Sequence, residues 1–182
     1  MAFAQKTSYT EEDYYNLPEG VRAELIDGQI CYQAAPNRIH QTISGELYTA
    51  INNYIKSKKG SCRVFAAPFA VKLFNSSGTI VEPDISVICD RSKLTDRGCS
   101  GAPDWIIEII SPGNPEHDLI YKLGLYARAG VREYWIADPR SETVLVYYLE
   151  QKNFEIRAYS FQSNIKVNIY EDFAIDFREL DL

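Results

Sequence analysis

The spacing of apolar positions divides the chain into short alternating runs and two longer stretches of helical period. Residues 1–20 are polar and Tyr-rich, close on NLPEG, and predict an N-terminal arm with one helical turn at EEDYYN. VRAELIDGQICYQ holds two β-prone runs around Asp27-Gly28, a strong short hairpin signal. From Asn37 to Lys59 the residues Ile39, Ile43, Leu47, Ala50, Ile51, Tyr54 and Ile55 recur at three- and four-residue intervals, which predicts a long helix closed by Gly60. CRVFAAPFAVKLF, TIVEPDISVIC and DWIIEIIS then read as three strands separated by turn-formers. PEHDLIYKLGLYARAG has Pro115 near its start, Glu116 and Asp118 in its first turn, Arg128 in its last and Gly130 just beyond, the signature of a second helix. REYWIAD, TVLVYYLE, FEIRAYS and IKVNI follow as strands. This order predicts an α/β or α+β fold: a mixed sheet with a helix on each side, preceded by a hairpin. At 182 residues it predicts one domain over residues 1–182, with residues 1–20 as its arm.

Composition narrows the setting. Hydrophobic residues at 46% and charged residues at 24% suit a packed protein rather than a disordered one. No apolar run approaches the roughly 20 residues of a bilayer span, and the N-terminus lacks a secretory signal, so a cytoplasmic protein without membrane contact is expected. Nineteen basic against twenty-five acidic residues argue against a tight, non-specific nucleic-acid binder. They leave room for an enzyme that gathers its cations in a cleft. Cys31, Cys62, Cys89 and Cys99 form no C-x-x-C pair, and only His40 and His117 add soft ligands, so zinc is not expected. In a reducing compartment such thiols read as buried small hydrophobes rather than disulfides.

The informative charge is Glu108. In Trp105-Ile106-Ile107-Glu108-Ile109-Ile110 both faces are apolar, so the strand reads as buried on both sides. An ionised carboxylate there costs several kcal/mol unless something compensates. One strand earlier, Glu82-Pro83-Asp84-Ile85-Ser86 puts a second acid, Asp84, at the head of an apolar alternation. If strand pairing sets the two acids side by side they need a cation between them, and all-oxygen ligands suit Mg²⁺ or Mn²⁺. On the second helix Asp118 and Lys122 stand at i and i+4, and Lys122 could reach back over the strand end to orient a nucleophile. The rival reading of that pair is an exposed helical ion pair. His40, in the first turn of the long helix, reads as a cleft-edge histidine, and Glu24 could cross the cleft mouth from the hairpin. Tyr134 and Trp135 read as core.

At these residues the sequence resembles the Uma-two family of restriction endonucleases within the PD-(D/E)XK nuclease superfamily. The resemblance runs over roughly residues 15 to 178, through ELIDGQI, EPDISVI, RGCSGAPDWIIEIISPGN and DLIYKLGLYARAGVREYWIADP. It implies a restriction-endonuclease-like core in which Asp84 and Glu108 bind a divalent metal. The superfamily lysine normally stands two residues after the second acid, where this chain has Ile110. Lys122 resembles the family's migrated lysine, and Glu24 and His40 resemble family positions near the same cleft.

The expectation is a Mg²⁺- or Mn²⁺-dependent endonuclease acting on DNA, with Asp84, Glu108 and Lys122 as catalytic residues and Glu24, His40 and Asp118 at the cleft. A two-fold homodimer is expected, since nucleases that cut both strands often work as pairs. The rival is a catalytically inert module that keeps the nuclease fold for nucleic-acid binding or assembly.

Overall fold

A computed structural model describes residues 8–75, 78–111, 116–150 and 155–182, with residues 116–118 described in backbone only. The chain begins with α1 (Glu11–Tyr15) and two hairpin strands, β1 (Ala23–Ile26) and β2 (Gln29–Tyr32). Next come α2 (Arg38–Ser57), β3 (Arg63–Ala66), β4 (Val71–Lys72), β5 (Ile80–Val81), β6 (Ile85–Ile88), β7 (Leu94–Thr95), β8 (Gly98–Ser100) and β9 (Trp105–Ile109). After α3 (Glu116–Ala129) follow β10 (Glu133–Asp138), β11 (Thr143–Tyr148), β12 (Glu155–Ser160), β13 (Asn164–Lys166) and β14 (Ala174–Asp176).

Local signals explain most boundaries. Asp27 (φ 49°) and Gly28 (φ 75°) both take positive φ, as a two-residue type I′ hairpin requires. Thr10 and Asp13 cap α1 reciprocally, and the Asn37 side chain accepts the His40 amide at 2.9 Å to start α2. That cap fixes His40 in the first turn. At the other end of α2, Lys59 rather than Gly60 takes the left-handed conformation (φ 51°).

The larger sheet has the order β12-β11-β10-β9-β6-β3. Only β9 and β10 run parallel, because α3 carries the chain back across the sheet between them. Ile43, Leu47, Ile51 and Ile55, every fourth residue of α2, pack on one face against Ile85, Val87, Ile107 and Trp135. On the other face Ile106, Ile110, Tyr134 and Ile136 meet Leu119, Leu125 and Tyr126 of α3, together with Val71, Val81 and Cys99. The sandwiching helices are those expected from the sequence, and Tyr134 and Trp135 are fully buried core.

Two expectations need correction. The three runs between the helices become five strands, and two of these, β4 and β5, leave the main sheet for a second one of order β2-β1-β5-β4-β8-β7. Proline is the cause: Pro68 and Pro83, which have no N–H to donate, interrupt two of the runs, so that β3 and β6 pair in one sheet while β4 and β5 pair in the other. The polar stretch before DWIIEIIS folds as the small β7–β8 hairpin, where Gly98 (φ 128°) passes so close to the Ala70 carbonyl that a Cβ would lie 2.1 Å from its oxygen. The second correction concerns cysteine. Cys62 and Cys89 form a disulfide rather than standing as separate thiols. They flank the antiparallel β3–β6 pair one step beyond Arg63↔Ile88, so the register makes them cross-strand neighbours. Cys99 is a buried thiol as expected, but Cys31 is exposed.

The described part of the N-terminal arm packs against the hairpin and β5. Tyr14 is buried with Leu25 and Ile80, and the Tyr9 amide donates to the Gly28 carbonyl at 2.7 Å. Among the described residues no helix is long and apolar enough to cross a membrane.

Candidate active site

β6 and β9 are antiparallel neighbours with Ile85 opposite Ile107 and Ser86 opposite Ile106. One step further along the same register, Asp84 stands opposite Glu108, and alternation puts both on the face shared by Ser86 and Ile106. Asp84 follows the Pro83 break at which the chain crosses from β5 to β6, so it sits at the strand head. Its Oδ2 accepts the Ile109 amide at 2.8 Å and lies 3.0 Å from His40 Nε2. The pairing of sheet register with the α2 cap therefore brings a histidine and two acids to one place.

Glu108 is 2% exposed. Its Oε1 accepts from Lys122 Nζ at 3.1 Å and from Tyr126 OH at 2.8 Å. Lys122 and Tyr126 lie four residues apart on α3 and so share a helix face. Lys122 Nζ also donates to Glu24 Oε1 at 2.8 Å, and the same oxygen accepts the Glu82 amide at 2.9 Å. Two carboxylates from different sheets thus clamp one buried ammonium. Burial pushes the Glu108 carboxyl up to about 7; the Asp84 and Glu24 charges add to that rise, while Lys122 and the Tyr126 hydroxyl oppose it. Burial alone would lower the Lys122 amine, but Glu108 and Glu24 outweigh it and hold the amine above its ordinary value. Ile110, where the superfamily pattern has lysine, is packed in the core beside Ile106.

Glu82 and Arg22 lie beside this clamp, the Glu82 amide donating to Glu24. Glu82 is buried; its Oε1 accepts the Tyr14 hydroxyl at 2.9 Å, and its Oε2 lies 3.5 Å from Arg22 Nε, too long for a good hydrogen bond. Arg22 Nε, Glu82 Oε2 and His40 Nδ1 are buried polar atoms that find no hydrogen-bond partner among the described residues. All three residues line a cleft of about 220 Å³ with Glu24, Asp84, Glu108 and Lys122. Four carboxylates against two fixed cations and a histidine leave the cleft short of positive charge.

That donor set fits a hard divalent cation. Mg²⁺ is ordinarily held by one or two carboxylates and keeps several waters, so the facing pair Asp84 and Glu108 supplies enough protein oxygen. Among the described residues no three His, Cys, Asp or Glu side chains converge as a closed chelate. Of the residues expected at the cleft, the structure brings together Asp84, Glu108, Lys122, Glu24 and His40. The Asp118 side chain lies outside the described residues. Tyr126, Glu82, Arg22 and Tyr14 were not foreseen. Tyr126 had a signal in its i+4 spacing from Lys122, and Glu82 in its two-residue spacing from Asp84.

A mixed sheet between two helices, with two acids on adjacent strands and a lysine from the next helix, places the chain in the restriction-endonuclease-like class of folds. The Uma2 family model, described as "Putative restriction endonuclease", matches residues 11–178, and the chain belongs to that family. A solved structure described as "a putative nuclease belonging to DUF820" from Anabaena variabilis superposes with a TM-score of 0.77 at 26% identity, covering 94% of this chain and 96% of that one. An uncharacterized protein of Synechocystis sp. is 26% identical over 140 residues, 75% of this chain and 72% of its own length.

Proposed function

We propose that the protein is a divalent-metal-dependent endonuclease that hydrolyses phosphodiester bonds of DNA, with Asp84 and Glu108 holding Mg²⁺ or Mn²⁺. Family membership and the nuclease neighbour support a nuclease function. The observation that carries the finer reading is the facing of Asp84 and Glu108 across adjacent strands, with Lys122 Nζ 3.1 Å from Glu108. A bound dication would polarise the phosphate and acidify water there. Lys122, held by Glu24 and Glu108, offers its ammonium to the attacking water and to charge growing on the phosphate. Tyr126 donates to the same Glu108 oxygen as Lys122 and fixes that carboxylate, and His40 fixes Asp84. Asp84, Glu108 and Lys122 are each less than a tenth exposed, which strengthens the interactions among them.

The test is cleavage of a panel of DNA and RNA substrates with Mg²⁺ and Mn²⁺ by wild type, Asp84→Asn and Glu108→Gln. Metal-dependent DNA cleavage that falls by about 100-fold or more in each variant is expected, since several kcal/mol of transition-state stabilisation go with the cation. Undiminished cleavage by both variants would remove the assignment. Preference for RNA would move the substrate and leave the residues in place.

A further inference from the structure

Charge is unevenly distributed along this acidic chain. Residues 38–81 hold six basic residues against a single acid, Glu46, whereas the remainder holds thirteen basic against twenty-four acidic. That positive segment is α2 with the strands after it, and β3 is the edge of the larger sheet. Between α2 and β3 the cleft continues. A depression of about 260 Å³ shares His40 and Asp84 with the cleft and runs past Gln41, Ser44 and Tyr48 to Ala66. A further one of about 560 Å³ shares Tyr48 and Ala66 and ends at Asn52, Lys56, Arg63 and Phe65. From His40 to Lys56 the helix axis advances about 24 Å.

We propose that this groove is the track of a single nucleic-acid strand, whose backbone runs from the Asp84–Glu108 pair along α2 to phosphate contacts at Lys56 and Arg63. The inference rests on the nuclease reading and gives it a substrate form. Lys56 and Arg63 are both exposed at the far end, where a polyanion finds its counter-charge. The middle is neutral and polar, with Gln41, Ser44 and Asn52 able to bond sugar and phosphate oxygens. Tyr48, half-buried between the two depressions, adds aromatic surface on which an unpaired base can stack, a surface that paired bases inside a duplex could not reach. The acids at the near end repel the strand unless a dication is bound, so cleavable phosphate and metal are recruited to the same point.

The experiment uses a fluorescein-labelled twelve-nucleotide single strand and its duplex, with binding read by anisotropy across a salt series, for wild type, Lys56→Glu/Arg63→Glu and Lys166→Glu. Lys166 is exposed on β13, outside the groove, and controls for net charge. Hydrolysis of bis(p-nitrophenyl) phosphate, too small to span the groove, is measured in parallel. The double variant is expected to bind the single strand at least tenfold more weakly and to flatten the plot of log K against log salt by about 1.4. Its hydrolysis of the small substrate and its melting temperature are expected to stay at wild-type values, and Lys166→Glu to change none of these. Wild-type affinity and salt slope in the double variant, or tighter binding of duplex than of single strand, would overturn the track. If Asp84→Asn still abolishes cleavage in that case, the nuclease reading survives alone. If the double variant loses binding and the wild-type protein cleaves no nucleic acid with either metal, the track stands and the nuclease reading fails.

Discussion

Asp84 lies directly opposite Glu108, one register step beyond the Ile85–Ile107 pair of β6 and β9. Two carboxylates so placed repel each other, and the Asp84 charge is among the causes that raise Glu108. Wild-type protein is therefore expected to melt at higher temperature as Mg²⁺ or Mn²⁺ is added, gaining about 2.7 kcal/mol at 100 times the dissociation constant. Asp84→Asn keeps an oxygen for the Ile109 amide while removing one charge. Its melting temperature without metal should equal or exceed that of wild type, and its metal response should vanish. A flat titration of the wild-type protein would favour an inert nuclease-fold module.

Lys122 bridges acids from two sheets, at 2.8 Å from Glu24 and 3.1 Å from Glu108. Lys122→Met leaves both carboxylates buried without their cation and is expected to cost about 3–5 kcal/mol in urea unfolding. Adding Glu24→Gln should recover part of that loss, with a coupling above about 1 kcal/mol in the double-mutant cycle. Strict additivity of the two changes would show that the bridge carries no stability.

Tyr126→Phe preserves shape in the core and deletes only the hydroxyl that donates to Glu108 at 2.8 Å. A hydrogen bond to a charged group is worth about 1.5–3 kcal/mol, and a loss of that size is expected. As a positioning residue Tyr126 should lower kcat with little change in KM; unchanged kcat would reduce it to a packing role.

Much of this site could be read before any coordinates because its signals were local. Glu108 announced itself as a charge in a run apolar on both faces, Asp27-Gly28 set the hairpin that carries Glu24, and the α2 stripe with its Asn37 cap placed His40. The second sheet was hidden because β4 joins β8 and β1 joins β5 through pairings between distant segments. Pro68 and Pro83 also split runs that read as continuous strands. Tyr126 was masked by its own chemistry: an aromatic residue on a helix's apolar face reads as core until the carboxylate beneath its hydroxyl is seen. The Cys62–Cys89 pair followed from strand register, which spacing alone does not give.

That disulfide ties the edge strand β3 to β6 across a sequence separation of 27 residues. Chain-entropy arguments for a loop of that size give about 3.5 kcal/mol of stabilisation. Cys62→Ser/Cys89→Ser, or treatment with dithiothreitol, should lower the unfolding midpoint in urea by a corresponding amount, with the variant insensitive to reductant. Equal midpoints for oxidised and reduced wild type would show that the bridge adds nothing to the native state.

The last expectation concerns Glu133, fully buried at the start of β10 and outside the cleft. Its Oε1 accepts Trp135 Nε1 at 2.7 Å, and its Oε2 accepts the amides of Asn168 at 2.7 Å and Ile169 at 3.0 Å. One side chain thereby pins the segment after β13 to the main sheet. Burial nevertheless pushes its carboxyl up from 4.5 to about 7, against the pull of those three donors. The folded protein then holds a proton that the unfolded chain has already released between pH 4.5 and 7, so this group's contribution is full below pH 4.5 and is lost as pH rises to about 7. The slope is about 1 kcal/mol per pH unit within that window. Glu133→Gln cannot titrate, and its amide sets a donor against one of the three donors, so it should start less stable yet show a flatter profile between pH 5 and 7. Urea unfolding of both proteins at half-unit pH steps measures the difference; parallel profiles would mean that Glu133 stays ionised throughout and that its hydrogen bonds outweigh its burial.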